Sequence, residues 1–154
     1  EGKGVIHMMR NLEIERLTLA GMAVGIADSC VDQMLDYAKE RKAFGQPINQ
    51  FGQIQKYIAE SFASTEAAKT LTYAVSRSVA PGSQNRIGSD AAKLFASPVS
   101  KIVADNAMQV MGGMGYSRDM PVERLWRDAK LLEIGGGTLE AHHKNLVKDL
   151  TAGL

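Results

Sequence analysis

The strongest constraint on the fold of this chain is an apolar repeat that runs through its first third. From Asn11 to Lys42, apolar side chains recur at steps of three and four residues, which predicts one long helix. Two stripes are present: Leu17, Ala20, Val24, Ala27, Val31, Met34 and Ala38, and then Leu19, Met22, Ile26 and Cys30. A helix that is apolar on two faces is expected to lie between other helices. Phe44-Gly45-Gln46-Pro47 should end it in a turn.

Two more long helices and two shorter ones are predicted. The second covers about 51–79, ends at 80–83, and points Ile54, Ile58, Phe62, Ala68, Leu71 and Val75 inward. The third begins with Ser89 as N-cap and runs to Gly112 and Gly113; Pro98 should kink or split it. Its apolar positions are Leu94, Phe95, Val99, Ile102, Val103, Ala107 and Met111. Shorter helices are expected over 121–133 and 138–150, with a short strand possible only at the extreme N-terminus.

The expected fold class is therefore all-α, an antiparallel helical bundle, with residues 1–154 forming a single helical domain. Because the chain starts at Glu1 and not at Met, we expect it to be part of a longer protein.

The charge balance excludes several classes of partner. The 18 basic and 17 acidic side chains leave a net charge of +1, which offers no field for nucleic acid or an acidic membrane surface. No apolar run reaches the roughly 18 residues that a membrane span needs, so membrane insertion is not expected. The single cysteine, Cys30, suits a reducing compartment.

The residues that often carry chemistry are sparse. His142 and His143 are adjacent on a predicted helix and point about 100° apart, so we expect no metal site. No serine or cysteine lies in a nucleophile-elbow context. Two glycine clusters remain, Gly112 to Gly115 and Gly135 to Gly137. Consecutive glycines indicate a sharp turn or a close approach to the backbone, although many glycine-rich helix ends bind nothing.

Four segments, taken in order, resemble the C-terminal helical domain of the acyl-CoA dehydrogenases, and the isovaleryl-CoA type most of all. They are residues 11–21, residues 40–48, Gln109 to Tyr116, and Arg127 to Lys130 leading to Gly136-Gly137-Thr138. The resemblance covers nearly the whole chain and implies the last third of a three-domain subunit. It implies FAD as cofactor, an acyl-CoA thioester as substrate and an electron-transfer flavoprotein as partner.

The resemblance also places the catalytic base. Many members carry a glutamate where this chain has Gly136, but a second group carries it on the first long helix, directly before an arginine; here that residue is Glu15. Glu13 and Glu133 are the other carboxylates considered. Glu13 points about 200° away from Glu15 on a helix, and Glu133 is expected to pair with Arg127 or Lys130.

The same resemblance implies the binding residues. Those for the CoA thioester are Glu13, Arg16, Gly136 and Gly137. Those for FAD are Arg41, which reaches the flavin of a neighbouring subunit, Phe44, the loop residues Gln109, Val110, Met111, Gly112 and Gly113, and the segment Thr138, Leu139 and Glu140. Gly52 stands where most members have a glutamine, and Leu139, His142 and His143 also depart from the family pattern.

Function and setting follow as expectations. Gly135 replaces a tyrosine of many straight-chain members, which favours a short, branched acyl group. The alternatives are a long-chain acyl-CoA dehydrogenase, a relative that reduces or oxygenates, and an oligomerisation or binding module without activity of its own. We expect a homotetramer built as a dimer of dimers, in the cytoplasm of a bacterium or the mitochondrial matrix of a eukaryote.

Overall fold

A computed structural model describes residues 2–79 and 85–152. Its helices are α1 (Gly4–Glu40), α2 (Gly52–Ser78), α3 (Arg86–Met111), α4 (Gly113–Tyr116), α5 (Val122–Ile134) and α6 (Leu139–Thr151). Two short strands, β1 (Lys42–Ala43) and β2 (Gln46–Pro47), and a 3-10 turn (Ile48–Gln50) separate α1 from α2. The predicted all-α fold class is confirmed. Helix α3 lies at the centre and contacts α1, α2, α5 and α6.

Helix α1 is longer at its start than predicted. It begins at Gly4, so the strand considered for the N-terminus is wrong; no glycine or proline interrupts the chain between Val5 and Asn11. The first predicted stripe is the one that packs: all its members except the half-buried Leu17 are buried. On the second stripe Cys30 is buried, but Met22 is 53% exposed.

The predicted turn after α1 is present and takes the form of a two-residue hairpin. Lys42 pairs with Pro47 and Ala43 pairs with Gln46 in an antiparallel ladder. Phe44 and Gly45 have φ values of 51° and 82°, as a tight hairpin turn of the mirror-image type requires. The turn leaves the Phe44 side chain 98% exposed.

Helix α2 has the predicted extent, but part of its predicted inward face is wrong. Phe62 is 55% exposed, and the buried stripe consists instead of Ser61, Thr65, Ala68, Thr72 and Val75. Small residues let neighbouring helices approach closely. The Thr65 hydroxyl donates to the Ser61 carbonyl at 2.8 Å, so it can be buried at little cost. The predicted helix end at 80–83 lies outside the described residues.

Helix α3 starts earlier than predicted. Its N-cap is Asn85, whose side-chain oxygen accepts from the Gly88 N–H at 2.8 Å; Ser89, the predicted cap, is buried inside the helix. Pro98 does not split the helix, which is continuous from Arg86 to Met111.

The inward face of α3 also differs from the prediction. Phe95 and Ile102 were expected inside and are 42% and 59% exposed. Asp90 and Lys93 are fully buried instead. A prediction from apolar residues alone therefore chose the wrong buried face of α3. The contacts of α3 with its neighbouring helices are made by small residues and by charged residues that have ionic partners.

Helices α5 and α6 match the predicted segments. The Thr138 side chain caps α6 by accepting from the Ala141 N–H at 3.4 Å. Between the two helices Gly136 and Gly137 have φ values of 65° and 106°, which side chains rarely allow. Within the described residues, no helix is both long and apolar enough to cross a membrane.

Candidate functional site

The turn formed by Gly135, Gly136 and Gly137, named here the glycine turn, lies against α1 and α3. A Cβ atom at Gly136 would be 3.6 Å from Glu15 Oε1 and 3.7 Å from Lys93 Cε. It would also be 2.3 Å from Leu19 Cδ1, which is too close for any side chain to fit without movement. The structure therefore brings Glu15 and Gly136 together from opposite ends of the chain.

Glu13 has a different neighbour from Glu15. Its side chain is buried, and Oε1 accepts a hydrogen bond from the backbone N–H of Asn85 at the start of α3. Glu15 is exposed within this domain. The two carboxylates thus lie on different faces of α1, as their spacing predicts. The expected contact between Glu13 and substrate stays a prediction.

Glu133, the third carboxylate considered, has a local ionic partner. Lys130 Nζ lies 2.5 Å from Glu133 Oε2, while Arg127 pairs instead with Glu123 at 3.0 Å. Arg127 also lowers the pKa of Glu123 through this hydrogen bond. The expectation that Glu133 pairs with Arg127 or Lys130 is confirmed for Lys130.

Behind the glycine turn lies a group of four buried ionisable side chains, Arg16, Asp90, Lys93 and His142, named here the buried charge cluster. Arg16 Nη1 and His142 Nδ1 lie 3.0 and 2.6 Å from the same oxygen, Asp90 Oδ1. His142 Nε2 and Lys93 Nζ lie 3.0 and 2.6 Å from the carbonyl oxygen of Gly137. The cluster thus joins α1, α3 and α6 to the glycine turn.

Burial sets the proton affinities in this cluster. Burial lowers the pKa of Lys93, and repulsion from Arg16 lowers it further, while attraction to Asp90 and Glu15 opposes both. Burial also lowers the pKa of His142, against the hydrogen bond with Asp90. The family resemblance predicts Arg16 as a substrate contact; here the residue is 8% exposed, and its Nη1 forms an ion pair with Asp90.

Sequence reasoning missed Asp90 and Lys93 as site residues. Both lie three residues apart on the small-residue face of α3, in Ser-Asp-Ala-Ala-Lys. Charged residues at buried helix positions indicate a polar cluster. The signal could not be used without knowing which face of α3 is buried. From the sequence alone, His142 is considered as a possible metal ligand and as a departure from the family pattern, and not as a partner of Asp90.

Several of the residues predicted to bind FAD meet at the C-terminal end of α1. A cleft of about 530 Å³ is lined by Arg41, Val110, Met111, Gly112 and Gly113, together with Tyr37, Ile48, Ile54 and Met114. Arg41 is exposed and has no ion pair with any residue of 2–79 or 85–152. Gln109 is also exposed, and its carbonyl accepts from the Gly112 N–H at 3.3 Å.

The remaining predicted flavin residues lie in two other places. Phe44 is at the hairpin tip, edge-on to Phe51 with ring centres 6.2 Å apart. Thr138, Leu139 and Glu140 form the start of α6, beside the glycine turn. Hydrogen bonds from its own backbone N–H and from Thr138 lower the pKa of Glu140. No three His, Cys, Asp or Glu side chains in the described ranges lie close enough together to hold a metal ion.

Comparison with known proteins places this architecture in a family. The family model described as "Acyl-CoA dehydrogenase, C-terminal domain" matches residues 2–151. Isovaleryl-CoA dehydrogenase of Oryza sativa is 39% identical over 97% of this chain, and cyclohexane-1-carbonyl-CoA dehydrogenase of Geobacter metallireducens is 37% identical over 97%. The solved butyryl-CoA dehydrogenase of Megasphaera elsdenii superposes with a TM-score of 0.94 at 34% identity, over 98% of this chain.

The fold is thus that of the C-terminal helical domain of a flavin-dependent dehydrogenase class. The chain belongs to the acyl-CoA dehydrogenase family. It spans 37%, 40% and 39% of the lengths of the three relatives named above.

Proposed function

We propose that this chain supplies the base and part of the flavin site of an enzyme that dehydrogenates a short, branched acyl-CoA at its α,β bond. The proposal depends on one observation above all: the Glu15 carboxylate lies next to a glycine turn that has no side chain of its own. Because Gly136 cannot take a proton, a nearby carboxylate is needed there. Of the three carboxylates considered, Glu13 bonds to Asn85 and Glu133 pairs with Lys130.

The chemistry follows from this placement. Glu15 removes the α-proton of the thioester and becomes a carboxylic acid, as the double bond forms between Cα and Cβ. FAD, when bound, supplies the acceptor for the β-hydride. The backbone N–H of Gly136 is available to polarise the thioester carbonyl, so that negative charge developing on that oxygen is stabilised.

The residues of the Arg41 cleft fit the phosphate part of a flavin dinucleotide. The Arg41 guanidinium has no described acidic partner, and a Cβ atom at Gly112 or Gly113 would meet nothing within 4 Å. An uncompensated arginine beside open glycine backbone is suited to a pyrophosphate group. Arg41, Gly112 and Gly113 would hold that group.

The distance between Glu15 and Arg41 supports an oligomer. Glu15 lies in the first third of α1 and Arg41 caps the C-terminal end of the helix, so at 1.5 Å per residue they are roughly 40 Å apart. One flavin that reaches Glu15 does not also reach Arg41 on the same chain. Arg41 would therefore bind the flavin of a second subunit, in keeping with a dimer of dimers. An electron-transfer flavoprotein would reoxidise the reduced flavin.

The choice of acyl group depends on the glycine turn. At Gly135 this chain lacks the tyrosine that the family resemblance places there in many straight-chain members, and the missing bulk leaves room for a branch on the acyl group. Two of the relatives above are named for isovaleryl and cyclohexane-1-carbonyl groups, while the solved one is named for butyryl. A single methyl group changes specificity by only about 1–3 kcal/mol, so the preference is expected to be modest.

The decisive experiment compares Glu15→Gln with Glu60→Gln, a change at an exposed glutamate on α2, in the full-length protein. We expect Glu15→Gln to slow anaerobic flavin reduction by isovaleryl-CoA by about 10²–10⁴-fold with the flavin still bound. Glu60→Gln should match the wild type. Retention of most activity by Glu15→Gln would rule out this base.

Substrate class is tested by mixing the full-length protein with isovaleryl-CoA, butyryl-CoA and a long-chain acyl-CoA. Faster bleaching by isovaleryl-CoA supports the proposal. Faster bleaching by the long-chain substrate would favour a long-chain enzyme. A colourless protein that associates but does not retain added FAD would favour a binding module.

A further inference from the structure

The buried charge cluster has a hydrogen-bond pattern that converges on one backbone atom. The Gly137 carbonyl accepts from Lys93 Nζ at 2.6 Å and faces His142 Nε2 at 3.0 Å. A carbonyl oxygen can only accept, so both side chains must donate to it. Two donors, both on fully buried side chains and from different helices, therefore hold a single peptide group.

The proton count of the cluster agrees with this arrangement. Nε2 of His142 carries a hydrogen toward Gly137, and the 2.6 Å contact between Nδ1 and Asp90 Oδ1 contains a second hydrogen. The imidazole and carboxyl together thus hold two hydrogens, with no net charge. The cations Arg16 on α1 and Lys93 on α3 face this pair.

The glycine turn needs such an external restraint. Gly136 and Gly137 lie in the left-handed region, where glycine has wide conformational freedom and no side chain to anchor it. The peptide held by Lys93 and His142 comes directly after Gly137 and leads into the Thr138 cap of α6. The Lys93 side chain also passes close to Gly136, with Cε 3.7 Å from a Cβ position there.

We propose that Lys93 and His142 are positioning residues, which clamp the Gly137 carbonyl and so hold the backbone of Gly136 in register with Glu15. Asp90 and Arg16 keep the His142 ring in the orientation that points Nε2 at the carbonyl. This inference rests on the proposed function only in the role of Glu15. The clamp itself is a property of the turn, and it can be measured separately from catalysis.

The test uses the full-length protein and three variants: Lys93→Met, which keeps the length but not the donor; His142→Leu, which removes both contacts; and His142→Gln, whose amide can still donate to the carbonyl. Lys144 and His143 are exposed residues close to His142, and the variants Lys144→Met and His143→Gln are the matched controls. Two readouts are needed: amide hydrogen exchange across residues 135–141, and the single-turnover rate of flavin reduction per bound flavin.

We expect Lys93→Met and His142→Leu to speed exchange across the turn and lower the reduction rate by about 10- to 100-fold, with substrate KM little changed. His142→Gln should lie nearer the wild type than His142→Leu, and both controls should be unchanged. If His142→Leu does not fold, the comparison of Lys93→Met with Lys144→Met tests the clamp.

The clamp is wrong if folded Lys93→Met exchanges and reacts like the wild type, or if activity falls only in proportion to lost flavin. Glu15→Gln, measured in parallel, separates the two proposals. If Glu15→Gln is inactive and Lys93→Met has normal exchange and rate, the base stands and the clamp fails. If Glu15→Gln is active while Lys93→Met loosens the turn, the clamp stands and the base fails.

Discussion

The Glu15 carboxylate faces the backbone of Gly136, with Oε1 3.6 Å from the position that a Cβ atom would occupy. The two residues belong to the first helix and to the last interhelical turn. Leu19 lies beside Glu15 one turn further along α1, and its Cδ1 would have to move if the turn carried a side chain at Gly136. The absence of a side chain at Gly136 and the presence of a carboxylate at Glu15 are therefore complementary features of one surface.

The first prediction concerns that surface. Gly136→Ala should destabilise the protein by about 1–3 kcal/mol, because its φ of 65° is unfavourable for alanine and its Cβ would meet Leu19. Gly135→Ala is the control, since its φ is −65° and its Cβ would make only an ordinary contact of 3.4 Å with Leu131. The change in stability is measured as a shift in the urea concentration at the midpoint of unfolding, followed through the loss of helix. Equal midpoints for the two variants would contradict the account.

The second prediction concerns the carboxylate at the centre of the buried charge cluster. Asp90→Asn should destabilise by about 3–5 kcal/mol, because it leaves Arg16 buried without its counter-charge. Asp36→Asn is the matched change at an exposed ion pair with Lys39 and should cost under about 1 kcal/mol. Thermal midpoints of both full-length variants test this. A loss for Asp90→Asn no larger than for Asp36→Asn would show that the cluster does not depend on this charge.

The third prediction concerns the cleft at the end of α1. Arg41→Gln should weaken FAD binding about 10- to 100-fold, the value of a charge-assisted bond to phosphate. Arg77→Gln, an exposed arginine near the end of α2, is the control. Equilibrium dialysis of the apoprotein with FAD measures Kd. An unchanged Kd for Arg41→Gln, with the oligomer intact, would remove Arg41 from the flavin site.

The fourth prediction concerns Cys30. Its side chain is fully buried, and burial raises the pKa of the thiol to about 12, so the reactive thiolate is almost absent at pH 8. A thiol reagent should leave the Cys30 peptide unlabelled in the native protein and label it in urea, as read by peptide mass mapping. Asp32→Cys, at an exposed position two residues away, should label at once. Rapid native labelling at Cys30 would mean that α1 opens locally.

Much of the helical architecture could be predicted from local pattern. The stripe from Ala20 to Ala38 identified the core face of α1, because a repeat of three and four residues is a property of a helix alone. The turn at Phe44 and Gly45 and the extents of α2, α5 and α6 followed from breakers in the sequence. The family motifs added the base and the flavin residues by resemblance, and their roles stay proposals.

The sequence by itself determined which segments are helical, where most of them stop, and that the three consecutive glycines from Gly135 to Gly137 indicate a turn or a close approach to the backbone. Only the tertiary structure decided which faces of α2 and α3 are buried, since Phe62 and Phe95 are exposed while Ser61 and Lys93 are buried. It alone brought Asp90 and His142 to 2.6 Å from each other. The physical reason is that hydrophobic periodicity records burial from water, whereas a buried charge is stable only with partners that the fold assembles from distant parts of the chain.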